Sequence, residues 1–219
     1  MSSGTILLAA AVLAWLVWGR RPGSAGRSAA AHARQLRTPL VRLAELAGVQ
    51  TVRGRQAAQF AAGAEGERRT GRLLGVLRLF GWTVLHDLAL PTGRANVDHL
   101  VVSFWGVVIV VDSKRWDARY RVRAVGGRLL HGDRDVTDRL RGLRHEAETV
   151  SRVLGVPVFS LVVMHDAPVD GGALIFDGIR IVPAQSAVAV LRGIARRHCG
   201  HGHGLGRRAR LALKPYGRN

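Results

Sequence analysis

Two short runs hold the residues best suited to chemistry. The run Val107 to Trp116, VVIVVDSKRW, carries apolar residues straight into Asp112, Ser113, Lys114 and Arg115. Strand side chains alternate between faces, so Asp112 and Lys114 share a face with Val108 and Val110. Upstream, Asn96 to Ser103, NVDHLVVS, reads as a second strand with Asp98, Leu100 and Val102 on one face. A three-residue loop of Phe104, Trp105 and Gly106, with glycine in the left-handed position, would pair Ser103 with Val107 and set Asp98 opposite Asp112. A two-residue loop would send Asp98 to the far face. Facing carboxylates repel unless a cation lies between them, and a divalent metal ion is the obvious one.

From spacing alone, an Asp–Lys ion pair closing a strand end fits as well as a site does. The identity of the cation tips the balance. Among 33 Lys and Arg residues only Lys114 and Lys214 are lysine. Arginine would serve an ion pair at least as well, whereas a compact ammonium can sit beside a metal-bound water and a phosphate oxygen.

The formal net charge of +18 attracts any dense polyanion, nucleic acid and anionic lipid alike, although the abundance of Arg, Ala, Gly and Val makes part of it compositional. A single cysteine, Cys199, excludes an intramolecular disulfide. Gly126-Gly127 and Gly171-Gly172 lack the strand-to-helix setting of a phosphate-binding loop. His198, Cys199, His201 and His203 match no structural zinc spacing. His86, Asp87 and His99 are expected to be structural, His99 facing away from Asp98.

Positioning elements are legible around these runs. Residues 1–20 are a candidate membrane anchor: Ile6 to Trp18 is almost wholly apolar, and the arginines follow it, at Arg20, Arg21, Arg27, Arg34 and Arg37. That asymmetry predicts an uncleaved single-pass helix in the cell membrane with the globular part cytoplasmic. Residues 21–60 read as a basic linker, a tether or weak helix to about 37, then a polar helix from 40 to 60. A helix over about 64–80 carries Leu73, Leu74, Leu77 and Phe80 and ends at Gly81. Strands follow at 82–88, 96–103 and 107–114, then a hairpin, a helix over 136–154, strands at 156–164 and 174–182, and a helix near 185–197. The order is α, β, β, β, α, β with additions in a folded unit of 61–197, and residues 198–219 read as a mobile basic tail.

The ordered set GAEGE at Gly63 to Glu67, NVDHLVV at Asn96 to Val102 and GVVIVVDSKRW at Gly106 to Trp116 resembles the nuclease-related domain (NERD) family, which is similar to the PD-(D/E)XK nuclease superfamily. The resemblance implies an α/β fold with a restriction-endonuclease-like core, a mixed central sheet flanked by helices. It implies Glu67 as the helix-borne acid, Asp98 as the central metal-binding acid, Asp112 as the signature acid and Lys114 as its lysine. Mg²⁺ or Mn²⁺ would be held by Asp98, Asp112, the Ser113 carbonyl and Glu67. Two departures stand: the signature acid is Asp rather than the commoner Glu, and an Asn-Pro and Gln signature is absent from VTDRLRGLRHEAETV. The expected function is hydrolysis of DNA, or of RNA, by a membrane-tethered nuclease. The alternatives are an inactive nucleic-acid-binding module at the membrane and a protein addressed to anionic lipid.

Overall fold

A computed structural model describes residues 25–91, 95–198 and 200–216. The expected anchor lies outside them. Among the described residues, no helix is long and apolar enough to cross a membrane.

The chain opens with helices α1 (Arg27–Leu36), α2 (Pro39–Leu46) and α3 (Val52–Gly75), the last continued by a 3₁₀ turn over Val76–Phe80. Pro39 starts α2 where its missing N–H costs nothing, and the Thr51 hydroxyl caps α3 by accepting from Gly54 N–H at 2.9 Å. Strands β1 (Thr83–Ala89), β2 (Asn96–Val102) and β3 (Val108–Trp116) follow, then the short strands β4 (Val122–Val125), β5 (Arg128–His131) and β6 (Arg134–Asp135). After a 3₁₀ turn come α4 (Arg141–Leu154), β7 (Val158–Asp166), β8 (Leu174–Phe176), β9 (Ile179–Pro183), α5 (Ala187–Arg197) and α6 (Leu205–Ala212).

The main sheet has the order β1-β2-β3-β7-β9-β8, with β4 to β6 forming a small separate sheet. The β3–β7 and β7–β9 pairs are parallel and the others antiparallel, which makes the sheet mixed. β3 is apolar throughout its first half because helices cover both of its faces. Val108 and Val110 join a core with Leu143, Val150 and Leu154 of α4; Ile109 and Val111 join one with Leu74 of α3 and Leu191 of α5.

Several expected boundaries move. The 64–80 helix begins at Val52, and the 40–60 helix is broken between α2 and α3. Of the two readings of the segment up to about 37, tether or weak helix, residues 27–36 take the helical one, and α1 packs along α3. The 174–182 strand is a hairpin, β8 and β9, turned at Asp177 (φ 48) and Gly178. The expectation of a mobile tail is corrected: α6 buries Leu205 and Ala209, Leu213 follows them into the core, and Ala89 N–H donates to Lys214 O at 2.8 Å. The four-residue spacing of those three side chains is a helical stripe that the glycines and arginines around it conceal.

Candidate active site

The β2–β3 turn settles where the acids stand. Ser103 N–H donates to Val107 O at 2.9 Å, and Gly106 has φ 87, a conformation glycine adopts without strain. The loop is the three-residue turn. The ladder runs Val102↔Val108, Val101↔Ile109, Leu100↔Val110 and His99↔Val111, so the next position in line sets Asp98 against Asp112. Lys114 Nζ lies 2.7 Å from Asp112 Oδ2. Asp112 is buried, and the Lys114 side chain keeps a quarter of its surface in water.

Glu67 comes from the middle of α3, within the stretch that crosses β3. Its carboxyl accepts a hydrogen bond from Gly26 N–H, while Oε2 is buried without a hydrogen-bond partner. Gly26 must be glycine for this: its φ is 75, and a Cβ there would meet Ala64 O at 2.6 Å. Burial first, then Asp87 and Asp112, raises the Glu67 carboxyl to about 7. Asp98 keeps part of its surface accessible, but its carboxyl is enclosed. Burial, then Glu67, Asp112 and Glu146, holds it well above the ordinary aspartate range. For Lys114, burial works against the charged form, but Asp112, with Asp98 and Glu146, more than offsets it and raises the ammonium above its usual value.

Glu146 was not singled out from sequence. It lies on α4 three residues after Leu143 and four before Val150, both buried, so a carboxyl occupies the core-facing side of the helix. Its Oε2 is buried and unpartnered, and burial followed by the Asp112 charge raises it to about 8. An acid at an apolar-stripe position is the signal that could have found it.

On the other face of β3, Ser113 Oγ lies 3.2 Å from His99 Nε2, His99 Nδ1 lies 2.7 Å from His86 Nδ1, and His86 Nε2 lies 3.3 Å from Arg78 Nη2. Burial lowers His86 to about 4, helped by Arg78, and holds His99 well below its usual value, so both rings are neutral. Arginine only donates, so the chain has one consistent direction: Arg78 to His86 Nε2, His86 Nδ1–H to His99 Nδ1, His99 Nε2–H to Ser113 Oγ. His86 and His99 are structural, as expected. Asp87 likewise accepts from Ser28 N–H at 3.0 Å and Asn96 Nδ2 at 2.9 Å.

The ordered acids, the lysine and this mixed sheet can be set against known proteins. Residues 62–165 match the model of the nuclease-related domain. Over that stretch the chain is similar to the NERD family. No curated protein and no solved structure matches the chain. The matched NERD segment runs from α3 to the end of β7 and contains Glu67, Asp98, Asp112, Lys114 and Glu146. That match points to a nuclease-related function and to nucleic acid as partner.

The donor set suits a hard divalent cation: carboxylate oxygens from β2, β3, α3 and α4, two of them, Glu67 Oε2 and Glu146 Oε2, buried with no hydrogen-bond partner. Among the described residues, no three His, Cys, Asp or Glu side chains are arranged to cage an ion together. In the tail, His203 packs on Phe104 and Trp105 with ring centroids 4.6 and 5.4 Å away.

Proposed function

We propose that the protein is a metal-dependent nuclease that hydrolyses phosphodiester bonds of DNA, or of RNA, held at the cell membrane by residues 1–20 with the NERD domain in the cytoplasm. The observation that carries the reading is the gathering of Glu67, Asp98 and Asp112 about Lys114. Asp98, Asp112 and the Ser113 carbonyl would hold Mg²⁺ or Mn²⁺, with Glu67 beside them. A bound divalent ion supplies Lewis-acid polarisation of the phosphate and lowers the pKa of a bound water. Lys114, kept charged by its acidic neighbours, offsets negative charge that builds on the phosphate oxygens and does not act as a base. Glu67, at about 7, is matched to take a proton from water at Oε2 near neutral pH. The arginine-rich surface supports nucleic acid as the substrate, and the apolar run Ile6 to Trp18 supports the tether.

The test is purified full-length protein in detergent with plasmid DNA and Mg²⁺. Cleavage should be lost with chelator, with Lys114→Ala and with Asp112→Ala. Cleavage unchanged in both variants would falsify the site.

A second reading, a module that holds nucleic acid without cutting it, is favoured by the absence of three metal-set side chains among the described residues. It predicts salt-sensitive retention of DNA that is indifferent to chelator.

A further inference from the structure

The strangest surface on the molecule lies away from the acids. Helix α2 buries only Val41. Leu40, Leu43 and Leu46, followed by Val49 and Val52, recur at three-residue intervals and are between 56% and 85% exposed. A soluble surface rarely gathers large aliphatic side chains in this way, and where it does the patch marks a contact. The flanks are cationic: Arg37, Arg42, Arg53 and Arg55 are all exposed, and Glu45 is the only acid between residues 25 and 64.

Charge decides which contact fits. A second copy of the chain would bring the same arginines against themselves, in a molecule of formal net charge +18. A nucleic acid would satisfy the arginines but leave the leucines and valines facing water. A bilayer containing anionic lipid satisfies both, apolar side chains entering the acyl boundary and guanidinium groups meeting phosphates. The apolar run Ile6 to Trp18 also lies a short stretch of chain upstream.

We propose that α2 and the first turn of α3 lie on an anionic bilayer surface, with Leu40, Leu43, Leu46, Val49 and Val52 immersed and Arg37, Arg42, Arg53 and Arg55 at the headgroups. This goes beyond a simple tether, because it fixes a second contact and so the orientation of the NERD domain. It holds whether or not Ile6 to Trp18 crosses the bilayer, and it is independent of cleavage.

The test uses the full chain in nanodiscs of phosphatidylcholine with phosphatidylglycerol. In a Cys199→Ser background, Leu43→Cys carries an environment-sensitive dye; Asp133→Cys, whose native side chain is fully exposed at 101% on the β5–β6 turn, is the control. Lipids bearing a quencher in the acyl chain should quench the dye at 43 strongly and leave the dye at 133 unaffected. Quenching at 43 should weaken severalfold in discs of phosphatidylcholine alone. A dye at 43 that is unquenched overturns the proposal, and if its emission is nonetheless blue-shifted the face is covered by protein, either a second copy or the chain's own N-terminus. Equal quenching in both disc types also overturns it, since the arginines would then have no share.

Discussion

Lys114 Nζ stands 2.7 Å from Asp112 Oδ2, two residues away on the same face of β3, and Asp98 is next in register across the ladder. One ammonium thus serves several acids, and burial first, then one crowded charge distribution, raises the pKa values of Glu67, Asp98 and Glu146.

Lys114→Arg separates a structural lysine from a functional one. Arginine keeps the ion pair, so urea unfolding should give a stability within about 1 kcal/mol of wild type. Plasmid cleavage with Mg²⁺ should fall at least about 100-fold, as when one preorganised charge is displaced from an active site. A wild-type rate would make Lys114 a strand-end partner and nothing more.

Glu67 makes metal-free stability fall as pH rises. Its carboxyl binds a proton up to about 7 when folded against an ordinary 4.5, so between those values the folded state carries more protons than the unfolded one. Glu67→Gln should therefore gain on wild type as pH rises from near 5 to about 8, by on the order of 2–3 kcal/mol. Urea titrations with chelator, followed by tryptophan fluorescence, read the gap; a constant gap would contradict the burial of this acid.

Glu146, at about 8, is protonated near neutrality, and glutamine imitates a protonated carboxyl. Cleavage by Glu146→Gln should stay within about threefold of wild type near pH 7 and diverge above about pH 8. A pH–rate profile measures this. A 100-fold loss near pH 7, about the size expected for a lost charge, would show an ionised Glu146 in direct contact with the reacting groups.

The histidine chain predicts tautomers. Long-range ¹⁵N correlation spectra should show His86 as the Nδ1–H form and His99 as the Nε2–H form, as the one-way donation from Arg78 requires. Reversed tautomers would break the chain. His99→Leu strands a buried donor on His86 and should cost about 2–4 kcal/mol in urea unfolding.

Truncation after Gly204 removes α6 and Leu213 and uncovers part of the core that includes Leu85 and Leu88. Two leucines and an alanine lost from burial should lower stability by roughly 3–6 kcal/mol. A thermal scan unchanged by the truncation would restore the picture of a mobile tail.

Much of this was legible because strand alternation is a local rule. VVIVVDSKRW fixes Asp112 and Lys114 on one face wherever the strand lies, and Phe-Trp-Gly contains the residue a three-residue turn needs, which carries Asp98 into line. Glu146 escaped because an acid on a helix reads as solvated until its neighbours Leu143 and Val150 are seen to be buried. The tail misled for the opposite reason: its glycines and arginines outweighed a three-residue apolar stripe whose worth depends on the groove that receives it.

The sequence by itself determined the excess of positive charge, the apolar run at the N-terminus, the core order α, β, β, β, α, β and the pairing of acid and lysine on one strand face. Only the tertiary structure decided that Glu67, from a helix across the sheet, and Glu146, from the helix after the small sheet, come within electrostatic reach of Asp112. Their raised pKa values have the same origin. Desolvation and like-charge repulsion act between groups far apart in the chain, and no local pattern contains those distances.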